Sequence, residues 1–150
     1  VEYGAVCIEK RPEKPSEGFL YTIEGEGIHL MPGFGLRLEL KLRPSALGIE
    51  ITRCPANRAY LDARRCEFPL TVRSPRPGDR FQPLGMKVPV KLKDFFIRQR
   101  VPRSTRPRRP LLVSGRDIAW IIGLRVDERF KITRADGPVL TAEAVPHEGK

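Results

Sequence analysis

Four arginines fall within the eight residues Arg103-Ser104-Thr105-Arg106-Pro107-Arg108-Arg109-Pro110, and no acid interrupts them. A guanidinium offers N–H donors in a planar fork that matches two oxygens of a phosphate, and prolines lower the entropy lost when such a segment orders on a ligand. The window therefore suits phosphate contact; the alternative is a disordered basic connector, which its β-prone flanks argue against. A second concentration, Ser74-Pro75-Arg76-Pro77-Gly78-Asp79-Arg80, has two prolines that fix φ and a glycine that permits a turn. It reads equally as a stiff loop presenting Arg76 and Arg80 or as a plain interstrand turn. A third, Arg125 to Lys131, mixes three cations with adjacent Asp127 and Glu128. Paired carboxylates suit acid–base work, but among three cations local ion pairs are the stronger reading, so no catalytic residue is assigned.

Other chemistries have little to stand on. Cys7, Cys54, Cys66, His29 and His147 make a sparse ligand set without a C-x-x-C pair, so no metal site is assigned. Three widely spaced cysteines do not form a secreted disulfide framework, and inert thiols in a reducing cytoplasm are the expectation. No Walker motif or Ser-Gly-Gly phosphate loop occurs.

The elements that must position these cations follow from composition and pattern. The chain has 150 residues and a net charge of +10, with 40% hydrophobic residues and no apolar run near the ~18 needed to span a bilayer. Residues 1–72 are balanced, with 10 basic and 10 acidic side chains, whereas 73–134 carry 17 basic against 5 acidic, and 135–150 carry 1 against 3. The charge thus divides the chain into two expected subdomains, a neutral linking β subdomain at 1–72 and a basic C-terminal subdomain at 73–150, the latter suited to a polyanion. Fifteen prolines and 13 glycines oppose long helices and favour short strands joined by turns. Val1 to Lys10 has neither an initiator Met nor the apolar core of a signal peptide, which suggests a piece of a longer chain.

Short β-prone runs recur at Val6–Ile8, Phe19–Ile23, Ile28–Leu30, Ala59–Ala63 and Phe68–Val72. Pro69, near the start of the last, implies an edge strand. Leu36 to Arg43 alternates strictly over eight residues, placing four leucines on one face and Arg37, Glu39, Lys41 and Arg43 on the other. Leu111–Val113 and Ile118–Ile122 read as a hairpin turning at Ser114-Gly115-Arg116-Asp117. One amphipathic helix is expected near 91–100, about three turns ended by Pro102, with Leu92, Phe95 and Phe96 toward the core and Lys91, Asp94 and Arg98 opposite. The expected fold is mainly β with minor α, built as sandwich-like short-stranded sheets.

The order and spacing of Arg73 to Met86, Lys91-Leu92-Lys93-Asp94-Phe95-Phe96, Val101-Pro102-Arg103 and Trp120 to Lys131 resemble the C-terminal domain of the tRNA(Ile)-lysidine synthetase family. Residues 1–72 are similar to the domain before it in the longer bacterial members. The resemblance implies a ligase whose N-terminal ATP-pyrophosphatase domain, absent here, uses ATP and Mg to adenylate the wobble cytidine of an isoleucine tRNA before lysine displaces AMP. It implies for this chain tRNA binding at the acceptor stem, with no cofactor of its own. RNA contacts carried over from the motifs are Arg73, Arg76, Arg80, Lys91, Lys93, Arg103, Arg125 and Arg129; Arg98, Arg106, Arg108 and Arg109 are added from charge alone. The competing expectation is a docking or dimerisation module, whose basic surface covers its own catalytic domain or a second copy.

Overall fold

The computed structural model describes residues 19–49 and 54–147. Eleven strands and one helix follow in chain order: β1 (Leu20–Ile23), β2 (Gly27–Met31), β3 (Leu36–Arg43), β4 (Arg58–Asp62), β5 (Leu70–Arg73), β6 (Arg80–Phe81), β7 (Val90–Lys91), α1 (Leu92–Arg98), β8 (Leu111–Ser114), β9 (Asp117–Ile121), β10 (Arg125–Val126) and β11 (Val139–Pro146). They form a five-stranded sheet ordered β10-β9-β8-β5-β1, a four-stranded sheet ordered β2-β3-β11-β4, and the two-stranded ribbon β6-β7. All pairings are antiparallel. No helix among the described residues is long and apolar enough to cross a membrane.

The two sheets share one core. Ile23, Leu70, Val72, Leu112 and Trp120 from the five-stranded sheet pack in a single cluster with Met31, Leu38, Leu61, Leu140 and Ala142 from the other. The opposite face of the five-stranded sheet is covered as well. There Leu111, Val113, Ile118 and Ile121 meet Phe81 of the ribbon and Leu92, Phe95 and Phe96 of α1. Burying an apolar side chain of this size contributes about 1.5–3 kcal/mol, so the i, i+3, i+4 apolar stripe suffices to dock a helix of only seven residues. A register shift between Ile118 and Trp120 lets consecutive Ala119 and Trp120 both reach the inter-sheet core.

The mainly β fold, the sandwich of sheets and the amphipathic helix agree with the sequence reading. The hairpin at 111–122 also forms, turning at Gly115-Arg116 with Gly115 at φ +62°. Three points differ. The helix stops at Arg98, because Arg100 takes a left-handed φ of 59°, Val101 N–H bonds Phe96 O at 2.9 Å, and Pro102 disfavours helical backbone before it. Pro69 does not mark an edge: β5 lies between β1 and β8, and Pro69 precedes the strand, where its missing N–H costs no ladder bond. Finally, β11 inserts between β3 and β4 and pairs with both, so each sheet mixes strands from 1–72 and 73–150. Residue 72 itself falls inside β5. The division at 72 therefore describes surface charge and not two separate cores. The run Val6–Ile8 lies outside the described residues.

Depth in this sandwich sets mutational cost. Leu140→Ala, at a fully buried site on β11, is expected to lower unfolding free energy by about 2–5 kcal/mol. Leu42→Ala, on neighbouring β3 but 43% exposed, is expected to stay within about 0.5 kcal/mol; urea denaturation of both variants checks the contrast.

Candidate nucleic-acid interface

The basic segments named from sequence converge on α1 and the turns around it. A groove of about 420 Å³ runs between the 76–80 turn and the start of the helix, lined by Arg76, Arg80, Lys91, Lys93 and Arg106 over a floor of Leu92 and Phe96. The ribbon builds it, since β6 and β7 pair Arg80 opposite Lys91. Asp79 is the one carboxylate in its lining. A second, shallower hollow on the helix brings Arg98 and Arg125 together with Leu84, Met86 and Phe95, and the Arg125 guanidinium lies 5.7 Å from the centre of the Phe95 ring, within cation–π reach.

The proline-rich window is ordered. Residues 103–108 form a 3₁₀ turn, with Thr105 Oγ1 donating to Pro102 O at 2.9 Å and Arg106 Nε donating to Val101 O at 3.0 Å. Arg103 and Arg108 are exposed on it, while Arg106 and Arg109 are half-buried.

Two of the twelve cations named from sequence are held in ion pairs. Arg73 is buried, its guanidinium bonded to both oxygens of Asp79 at 2.9 Å and to Ser74 O at 3.0 Å. Arg129 grips the fully buried Asp127 through Nε and a terminal nitrogen, each at 2.9 Å, and reaches Asp117 at 3.1 Å. Both are therefore held by carboxylates and unavailable to a phosphate without breaking those pairs. The other ten make no ion pair with another described residue. Sequence reasoning passed over Lys87, Arg100 and Arg116, which are exposed and likewise unpaired. Arg100 had no visible signal, because it leaves the helix face only when its backbone turns left-handed.

Asp127 and Glu128 are ion-paired anchors, as expected. Asp127 also accepts the backbone N–H of Gln82 and Arg129, at 2.9 and 2.8 Å. Glu128 pairs with Lys131 and accepts Gly85 N–H at 2.8 Å; the Lys131 bond first, then Gly85, holds its carboxyl below the usual range. Together they tie the 82–86 turn to the end of β10. The two described cysteines are disfavoured as thiolates: burial, with Asp62 adding, pushes Cys66 up to about 12, and burial also raises Cys54.

Two outcomes follow. Asp127→Asn takes from Arg129 its buried carboxylate, leaving only the exposed Asp117, and weakens the Gln82 anchor. It is expected to cost about 2–4 kcal/mol, whereas Asp94→Asn on the exposed helix face should fall within about 0.5 kcal/mol; urea melts compare them. Iodoacetamide at pH 8 is expected to label Cys66 slowly in the folded chain and readily after denaturation, because a raised pKa leaves little thiolate. Equal rates would contradict the burial of that thiol.

The family model described as the TilS substrate C-terminal domain matches residues 70–141. The tRNA(Ile)-lysidine synthase of Caldanaerobacter subterraneus subsp. tengcongensis is 39% identical over 146 residues, covering 94% of this chain and 30% of that protein. That of Dehalococcoides mccartyi is 37% identical over 109 residues, 73% of this chain and 23% of its own length. The chain thus spans less than a third of the curated relatives it matches. A solved structure titled as the crystal structure of a TILS C-terminal domain shares the fold, with a TM-score of 0.72 and 21% identity over 88% of this chain and 99% of that one. With same-named relatives aligned along most of its length and the domain model seated on its basic half, the chain belongs to the tRNA(Ile)-lysidine synthase family and corresponds to its C-terminal part.

Proposed function

We propose that this chain is the tRNA-holding end of a lysidine-forming ligase, and that it grips the sugar–phosphate backbone of the acceptor stem of an isoleucine tRNA. The observation that carries the reading is the groove between the 76–80 turn and α1, where five cations face one carboxylate already engaged by Arg73. Base-paired RNA presents a deep, narrow major groove that side chains do not read, so proteins hold it by shape, phosphates and 2′-hydroxyls. A surface rich in unpaired arginine with its aromatics buried in the helix core fits that mode. The names of the relatives supply the tRNA.

The chemistry belongs to the part of the protein that the relatives carry beyond this chain. ATP and Mg would be used there. The described residues contain no cluster of three His, Cys, Asp or Glu side chains placed for a metal, and the sequence has no phosphate loop, so no reaction step is assigned to them. A cytoplasmic enzyme acting on tRNA accords with the thiols and the charge.

A protein-docking reading has one observation in its favour: among the described residues β2 is the edge of its sheet and carries exposed Ile28 and Leu30, a surface suited to the upstream domain or a second copy. The two readings separate in one titration. If about six cations neutralise phosphates, log affinity for an isoleucine tRNA transcript should fall against log salt with a slope of about −4 to −5. Arg76→Ala with Lys93→Ala should reduce the slope by about 2, and alanines at Arg103, Arg108 and Arg109 should weaken binding further. A flat salt response would overturn RNA binding. Unchanged RNA affinity in the arginine variants would move the contact away from this surface.

A further inference from the structure

We propose that Asp79, the only acid lining the groove, is a positioning residue for RNA, so that an anion-binding surface depends on a carboxylate. The inference rests on the RNA reading of that groove. Charge counting alone gives Asp79 the opposite role, since a negative charge beside a phosphate site repels its ligand.

The geometry assigns it otherwise. Both carboxylate oxygens are held by Arg73 at 2.9 Å, and the two side chains are only 10% and 12% exposed, so the charge is neutralised within the protein. One of the oxygens also accepts Arg76 N–H at 2.7 Å. The backbone closes the same turn, with Asp79 N–H on Arg76 O at 3.1 Å and Gly78 between them at φ +87°. Asp79 O in turn accepts the N–H of Leu92, the first residue of α1, at 2.9 Å. Four of the five groove cations therefore sit on segments that meet at this residue: Arg76 three positions before it, Arg80 next to it, and Lys91 and Lys93 on either side of Leu92. Arg106 alone comes from elsewhere.

Losing the carboxylate frees the turn from β5 and leaves Arg73 buried beside an amide. The spacing of Arg76 and Arg80 then relaxes, although the net charge becomes more positive. A positioning role and a charge effect thus predict shifts of opposite sign.

The test uses Asp79→Asn in the whole 150-residue chain, with a blunt RNA hairpin and an isoleucine tRNA transcript as probes in fluorescence anisotropy. The expected result is about tenfold weaker binding to both and a salt slope smaller by about 2, for the two misplaced arginines. A folded Asp79→Asn variant that binds equally or more tightly overturns the inference. Gly78→Ala, which strains the same exposed turn without changing any charge, is expected to weaken binding in the same direction. Should Asp79→Asn fail to fold, unchanged affinity in Gly78→Ala overturns the inference instead. Arg76→Ala and Lys93→Ala separate the two levels: if they weaken binding while Asp79→Asn does not, positioning fails alone, and if none of them matters, the groove reading fails with it.

Discussion

A sheet whose strands are apolar on both faces must be covered on both, and β8 and β9 leave almost nothing for water. Leu112 and Trp120 face the second sheet, while Leu111, Val113, Ile118 and Ile121 face α1 and the ribbon. This double burial explains why a seven-residue helix and a two-residue-wide ribbon, neither stable alone, hold fixed places. They are the outer layer of a core whose inner layer is the sandwich. The basic surface is mounted on that outer layer. Its cations are thus fixed by packing beneath them: Lys91 and Lys93 flank buried Leu92, and Arg80 precedes buried Phe81.

Electrostatics in the basic segment is sorted by depth. Of its five acids, Asp79, Asp117, Asp127 and Glu128 are ion-paired, and Asp94 is not. The carboxylates sit where they tie turns to strands, with Asp127 bonded to the 82–86 turn and Asp79 to the 74–80 turn. They engage Arg73, Arg129 and Lys131, while the surplus arginines remain outside. The excess charge of the segment is therefore carried by its unpaired cations, because four of its five acids are engaged by only three cations, while Asp94 and Asp117 stay exposed.

How much of this was legible in the residues depended on range. The alternation of Leu36 to Leu40, the hairpin with Gly115 at its turn, and the helical stripe of Leu92, Phe95 and Phe96 are local patterns with one satisfactory reading, and each forms. β11 was not legible. Its run Val139-Leu140-Thr141-Ala142-Glu143-Ala144 contains two alanines, which carry weak strand preference. It is a strand because β3 and β4 both offer it a ladder. Pro69 misled for a related reason, since a proline just outside a strand and one within it differ only by the register the partners impose.

The sequence by itself determined the class of fold, the place of the helix and the existence of a basic segment, because hydrophobic period and charge count are sums over neighbouring residues. Only the tertiary structure decided which cations are available. Arg73 and Arg76 look alike in a motif three residues apart, yet one is buried in a bidentate pair and the other is exposed on the groove. What separates them is the position of one carboxylate, and that position exists only once β5, the turn and α1 have packed together.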